Sequence, residues 1–332
     1  MQPTLSNVHR SAALSAISIG YKNQMFIGDQ VFQTVPVNNQ ADYYYTIQKG
    51  AIYRNDAGVR APGANARRGG YVWGDTEYSC KERAFAHEIP IEMFNNADDA
   101  IAPWETGVNF ATLKILLSKE VVVSTLCMTA SNWTSSTDVE GTWAAGASNS
   151  FVADILTGKK TIRQLIGIEP NVLVMDSKTL DELKQESSIL DRIKYTGTQG
   201  KPADVTPDVL ASLFELEQVL IGGAIYSDAE EVLAGTDFNA VDLWETNSSK
   251  GGAFLFYRPP QPGREMPAAG YNFQWKGGAG HQSLVLTGDN YRDVRYWWED
   301  SPKQYVVEAA ENYDAKATCA DAGYLFYDTI ST

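Results

Sequence analysis

The sequence predicts an α+β fold, and three observations carry that prediction. Strand-like and helical segments succeed one another without the regular β-α alternation of a parallel sheet. Residues 104–127 have the length and composition of one long helix. The N-terminal part contains extended stretches, broken by Pro and Gly, that cannot close a core of their own.

With 332 residues, 44% hydrophobic and 11% aromatic, the chain can bury a substantial core, which excludes wholesale disorder. Its 41 acidic and 27 basic side chains leave a formal net charge of -14. That field opposes general nucleic-acid binding, in which Lys and Arg neutralise phosphates. No stretch approaches the ~18 to 20 apolar residues of a membrane span, and residues 1–20 lack the parts of a signal peptide, so a cytosolic origin is expected. Cys80, Cys127 and Cys319 are widely spaced and form no C-x-x-C pattern, which predicts reduced, buried thiols rather than a disulfide framework or zinc site. The sequons at Asn132 and Asn247 are accordingly expected to carry no glycan.

Small and apolar residues from Leu5 to Ile19 suit a short helix. Phe26, Val31, Phe32, Val35 and Val37 then make an extended run interrupted by Pro36, an arm that must lie on the rest of the chain or on a neighbouring chain. Residues 42–53, rich in Tyr and Ile, and residues 71–78 are candidate strands of a long hairpin. The connection 54–70 contains Gly58, Pro62, Gly63, Gly69 and Gly70 and almost nothing that could fill a core. In the long helix, Val108, Leu113, Leu116, Leu117, Val121 and Leu126 form the expected apolar face, with Lys114, Lys119 and Glu120 on the polar one. Such a helix would be about 35 Å long at ~1.5 Å per residue.

Residues 130–150, rich in Ser, Thr, Trp and Gly, read as an exposed connection, and 151–166 resume helical spacing. The apolar run 171–175 is a short strand, after which Asp176 or Ser177 caps a helix through residue 186. A further helix is expected at 208–216, and strands at 218–226, 253–257, 296–298, 305–307 and 324–327.

Charge divides along the chain. Residues 49–83 hold seven cations (Lys49, Arg54, Arg60, Arg67, Arg68, Lys81, Arg83) against four acids, a local +3, while residues 208–245 hold nine acids and no cation. A basic hairpin and acidic surfaces can attract across a subunit boundary, and a solvated charged loop is the equal alternative.

No catalytic, cofactor or metal site is expected. His9, His87 and His281 stand in no ligand pattern. Gly158-Lys159-Lys160-Thr161 lacks the earlier glycine of a phosphate loop, and the Gly-rich stretch 277–283 around His281 reads as a turn between strands. The paired acids Asp98-Asp99 and Glu230-Glu231 establish no two-sided geometry for glycoside hydrolysis. Trp143, Trp297 and Trp298 leave a sugar-binding platform, and so a carbohydrate-binding or carbohydrate-active protein, as an alternative from another class.

Several words of the sequence, in order, resemble a known family. Ala13-Leu14-Ser15, Ile19-Gly20-Tyr21-Lys22-Asn23, Phe26-Ile27-Gly28-Asp29-Gln30-Val31-Phe32 and Val35-Pro36-Val37 resemble the N-terminal arm of the Hong Kong 97-type major capsid proteins of tailed bacteriophages. Arg60-Ala61-Pro62-Gly63 resembles their loop tip. Glu169-Pro170-Asn171-Val172-Leu173-Val174-Met175, with Leu180, Leu190 and Ile193-Lys194-Tyr195, resembles part of their body. The resemblance covers most of residues 1–195.

It implies an arm at 1–39, an extended loop at 40–88, a spine helix and part of a peripheral domain at 89–168, a mainly axial domain at 169–288, and strands returning to the peripheral domain at 289–332. It further implies an icosahedral shell enclosing phage double-stranded DNA, assembled from hexamers and pentamers in the host cytoplasm and without enzymatic activity. An encapsulin-like cellular shell is the alternative within the same fold. The implied partners are a separate scaffolding protein, a portal, a decoration protein and packaged DNA, with no membrane. The expected contacts between subunits join Arg60, Arg67 or Arg68 to Glu88, Asp98 or Asp99. Some family members link subunits through Lys and Asn, and neither Lys49 nor Lys81 stands in a context that assigns such a bond here.

Overall fold

The computed structural model describes residues 26–47, 49–70, 73–97, 102–146, 149–193, 205–229, 239–246, 250–263, 266–276 and 292–330. The candidate helix at 5–19, the His281 turn, Asp98-Asp99 and Glu230-Glu231 lie outside them.

In chain order the helices are α1 Gly28–Val31, α2 Lys49–Ile52, α3 Ile91–Asn95, α4 Pro103–Met128, α5 Phe151–Ile166, α6 Ser177–Gln185, α7 Ser187–Ile193 and α8 Pro207–Phe214. The strands are β1 Gln33–Val37, β2 Ala41–Ile47, β3 Trp73–Ser79, β4 Lys81–Pro90, β5 Ser135–Asp138, β6 Val172–Asp176, β7 Gln218–Gly222, β8 Ile225–Ser227, β9 Ala240–Asp242, β10 Gly252–Phe256, β11 Gly270–Trp275, β12 Arg292–Glu299, β13 Gln304–Ala317 and β14 Gly323–Tyr327. This is the expected α+β mixture.

One sheet runs β1-β11-β13-β12, with β4 also paired to β13, and the other runs β5-β14-β10-β6-β7. The second sheet carries the apolar strands: β6 and β10 are buried along their whole length, as a near-continuous apolar sequence requires. Phe254 and Phe256 stack at 5.0 Å, and Trp133 covers Phe254 at 4.4 Å. α6 starts as its sequence indicates, with the Asp176 carboxylate accepting from the Thr179 N–H at 2.8 Å. In α5, the glycine of Gly158-Lys159-Lys160-Thr161 is buried against Phe326 and Leu255, so the segment packs a helix on a sheet.

The arm run at 26–37 lies on its own chain. Phe32 is fully buried, and β1 pairs in parallel with β11 from Gln33↔Tyr271 to Val37↔Trp275. The hairpin forms between β2 and β3, from Ala41↔Ser79 to Ile47↔Trp73. Its first strand is shorter than expected, because the chain turns into α2 at Lys49 instead of staying extended to Tyr53.

The long helix spans Pro103–Met128, with Pro at its first position and the β-branched run at 121–123 fully helical. Its faces, however, are not the expected ones. Lys119 and Glu120, assigned to the polar side, are each only 2% exposed, whereas Leu113, Leu116, Leu117, Val121 and Leu126 are half-buried and Phe110 is 40% exposed. Two charged side chains can go inside because each meets partners there, and the leucines are displaced outward as a result. Gly107 permits the close approach of α4 to β4: a Cβ there would stand 3.1 Å from Ile89 and 3.3 Å from His87.

Three further expectations are corrected. Residues 130–150 are not an exposed connection, since β5 joins the second sheet and Trp133, Val139 and Trp143 are buried; the Trp143 indole donates to Asp154 at 2.8 Å, which satisfies its one polar atom. The single strand expected at 218–226 is two, β7 and β8, interrupted where Gly222 packs directly beneath Trp244. The strands at 296–298 and 305–307 are the end of the longer β12 and the start of the much longer β13. β4 and β11 escaped the sequence reading altogether.

Candidate functional site

The expected contacts lie between subunits, so the candidate site is sought on the surfaces that the fold leaves uncovered. Residues 53–70 are exposed throughout, with Val59 at 106% of its reference accessibility. Gly58, Pro62, Gly63, Gly69 and Gly70 keep this stretch out of regular structure, with Gly63 at φ 82°. It projects Arg54, Arg60, Arg67 and Arg68 into solvent against the single acid Asp56.

The hairpin that carries this loop has two unlike faces, as strand alternation dictates. On the inner one, Tyr44 and Tyr78 stack on Phe273 at 5.3 and 4.7 Å. On the outer one, Tyr43 and Tyr45, 58% and 60% exposed, stand opposite Glu77 and Asp75. The inner contact fixes the base of the hairpin to β11 and leaves the basic loop free of the core.

The other surface is the face of β4, β13 and β12 turned away from α4. Glu88, Val306 and Trp297 form one row across these three strands. Glu82, Ala84, Ala86 and Glu88 are exposed along β4, and Arg295 bridges Glu82 at 2.9 Å and Glu308 at 3.5 Å. On the opposite face Ile89, Tyr305 and Val307 pack against α4 with Trp104, which meets Tyr296 at 5.2 Å and Tyr305 at 5.2 Å.

Of the residues expected at subunit contacts, Arg60, Arg67 and Arg68 share the exposed loop and Glu88 lies on the exposed strand face. Asp98 and Asp99 fall outside the described residues. The tryptophans considered as a sugar platform do not converge: Trp143 is fully buried, and Trp297 and Trp298, adjacent on a strand, point to opposite faces. The acidic face of β4 was missed, although the alternation Glu82, Ala84, Ala86, Glu88 against Arg83, Phe85, His87, Ile89 is legible in the sequence.

Among the described residues no group of His, Cys, Asp and Glu is arranged to hold a metal, and no helix is long and apolar enough to cross a membrane. The thiols are Cys80 and Cys127, both buried, and Cys319, partly so. Burial pushes the Cys80 thiol up to about 11 and raises Cys127 well above the ordinary range, so neither is a ready nucleophile.

No family model matches the chain. It is 26% identical over 324 residues to the major capsid protein of Burkholderia phage BcepMu, covering 94% of each chain. It is 24% identical over 330 residues to the major capsid protein of Pseudomonas phage JBD67, covering 96% of each. Both similarities to phage major capsid proteins run the length of the chain, and the fold is of the Hong Kong 97 type. Among solved structures this coat protein resembles a phage-related protein from Bordetella bronchiseptica RB50, with a TM-score of 0.67, 24% identity and coverage of 97% of this chain and 98% of that one. The capsid of Cyanophage P-SCSP1u matches with a TM-score of 0.55 at 7% identity, over 98% of this chain and 92% of that one. The SrpI encapsulin of Synechococcus elongatus PCC 7942 shares the fold at a TM-score of 0.51 and 9% identity, over 99% and 91% of the two chains.

Proposed function

We propose that this coat protein assembles with itself into hexamers and pentamers that close as the icosahedral shell of a phage virion around double-stranded DNA. The observation that carries the reading is the end-to-end similarity to two phage major capsid proteins, over 94% and 96% of this chain. The protein acts through its surfaces and not by catalysis. Its net charge of -14 suits packaging without sequence-specific DNA recognition, because it gives the shell no general grip on phosphates.

In this reading residues 1–39 are the arm and 40–88 the extended loop, 89–168 hold the spine helix and part of the peripheral domain, 169–288 are mainly axial, and 289–332 return to the periphery. The arginines of the loop, Arg60, Arg67 and Arg68, reach a neighbouring subunit and meet its acids, with Glu88, Asp98 and Asp99 as their counterparts. The exposure of the loop arginines and of Glu88 supports this arrangement. Assembly takes place in the host cytoplasm with a separate scaffolding protein and a portal, and a decoration protein binds the finished shell.

Negative-stain electron microscopy of the chain expressed alone and with its genomic neighbours tests the reading. Closed shells that hold nucleic acid are expected; closed shells filled with protein would favour the encapsulin alternative, and a small monodisperse species in both preparations would overturn the proposal. The contact is tested by Arg67→Glu with Arg68→Glu, which should lower particle yield at least tenfold while the subunit keeps its unfolding midpoint. Unchanged yield would remove these arginines from the interface.

A further inference from the structure

The hairpin of β2 and β3 is fastened at two places, and to different sheets. At its root Tyr44 and Tyr78 stack on Phe273 of β11, in the first sheet. Beyond β2 the chain meets the layer of the second sheet instead. Lys49, which opens α2, holds its ammonium 2.5 Å from the carboxylate of Asp321. Asp321 stands on the turn Ala320–Ala322 that leads into β14. That turn is itself tied down, because Ala320 accepts the Thr134 N–H at 3.2 Å and Ala322 accepts the Tyr257 N–H at 3.0 Å. Burial would raise the Asp321 pKa, but hydrogen bonds from Lys49 and Thr134 outweigh it and hold the carboxyl below its ordinary range.

Four residues after Lys49, the Tyr53 hydroxyl donates to the carbonyl of Ile166, the last residue of α5. A helix leaves its final carbonyls without partners of its own, so the hydroxyl satisfies one of them. Gly167 makes the approach possible. It closes α5 at φ 73°, and a Cβ there would stand 2.8 Å from the Tyr53 hydroxyl oxygen and 3.0 Å from its ring. The single turn of α2 brings the two side chains together, since positions four apart lie on one face of a helix and the Tyr53 N–H donates to the Lys49 carbonyl at 3.1 Å. Residues 54–70, which follow directly, are exposed throughout. Their backbone hydrogen bonds, from Asp56 to Arg54 and from Ala64 to Ala61, stay within the loop.

We propose that Lys49 and Tyr53 are positioning residues that clasp the hairpin to Asp321 and to the end of α5 in the free subunit, and so aim Arg54, Arg60, Arg67 and Arg68 before a neighbouring subunit arrives. The use of this aim in assembly rests on the shell reading; the clasp itself does not. Side-chain exposures of 51% at Lys49 and 22% at Asp321 leave the ion pair near the surface, where such pairs are weak, so the clasp is reversible. A loop already held in its binding direction has less freedom to lose on association.

Limited trypsin digestion of the unassembled full-length chain tests the clasp, because the bond after Lys49 lies inside it and the bond after Arg60 lies outside. Initial cleavage after Lys49 should be at least tenfold slower than after Arg60. Tyr53→Phe combined with Asp321→Asn should speed the Lys49 cut at least fivefold and leave the Arg60 cut unchanged. Equal rates in the parent chain, or no response to the two substitutions, would overturn the clasp. Its use in assembly is tested by charge exchange: Lys49→Asp should slow shell formation at least fivefold with an unchanged unfolding midpoint, and adding Asp321→Lys should restore the rate. Undiminished formation with Lys49→Asp, or no recovery in the exchanged pair, would overturn the positioning role. If the parent chain forms no shell, the shell reading fails and the positioning role with it, while the digestion still decides the clasp.

Discussion

Lys119 and Glu311, 192 positions apart in sequence, meet at 2.8 Å in the interior with side-chain exposures of 3% and 0%. Asp29 closes the other side of the ammonium at 2.6 Å, and Gln274 donates to the same Glu311 oxygen at 2.9 Å. One ion pair thereby ties the long helix to β13, to β11 and to the root of the arm. The next residue along the helix, Glu120, accepts the indole N–H of Trp244 at 2.8 Å, and Trp244 packs against Gly222 of the second sheet.

Loss of one partner should therefore be far worse than loss of both. Lys119→Met takes the Lys119 cation away from the buried Glu311 and should cost about 3 to 5 kcal/mol. The double variant Lys119→Met with Glu311→Leu removes both charges of the pair and should recover most of that. Urea unfolding of the two variants measures the difference, and equal midpoints would mean that the pair is not coupled.

Glu120 gives a prediction in pH. Burial raises its pKa, against the lowering effect of the Ile27, Gly28 and Trp244 N–H donors. The folded state then holds the proton more tightly than the unfolded state does, so this group's contribution to stability declines as pH rises from the ordinary carboxylate value through the raised one. Unfolding free energies across that window should show a downward component that Glu120→Gln abolishes. Glu120→Ala leaves three buried donors without an acceptor and should destabilise by about 3 kcal/mol or more at every pH.

The cysteines should be silent until the protein unfolds. Cys80 and Cys127 are buried, and burial raises the pKa of all three thiols, Cys319 included. A thiol reagent at pH 8 should label the native subunit slowly, and denaturant should release all three groups together. Rapid labelling of Cys80 in the native state would contradict its packing under β11, where Sγ lies 3.4 Å from the Phe273 carbonyl oxygen.

Gly222 has no room for a side chain. A Cβ there would lie 2.2 Å from Cγ of the fully buried Trp244. Gly222→Ala should cost about 3 kcal/mol through overpacking. Gly50→Ala, where nothing lies within 4 Å, should be neutral or slightly stabilising in the same thermal melts.

Legibility differed by element for identifiable reasons. α5, α6 and β6 were readable because helical spacing, a capping Asp176 and an unbroken apolar run act over a few neighbouring residues. The basic loop was equally plain, since Gly and Pro exclude regular structure locally. β11 was not: its Asn272 and Gln274 read as surface residues, yet both are buried, and Gln274 finds its partner 37 positions away in Glu311. The exposed acidic face of β4 became a surface only once β13 was paired beside it.

The sequence alone determined the class of fold, the single long helix, the exposed arginine loop and the likeness to phage coat proteins, because periodicity, turn chemistry and charge are properties of short stretches. Only the tertiary structure decided which way the long helix faces. Periodicity assigned Lys119 and Glu120 to water, but partners at Asp29, Glu311, Trp244 and the backbone of Ile27 and Gly28 hold them inside. Burial of a charge depends on what meets it there, and those partners come from three distant parts of the chain, at 27–29, 244 and 311.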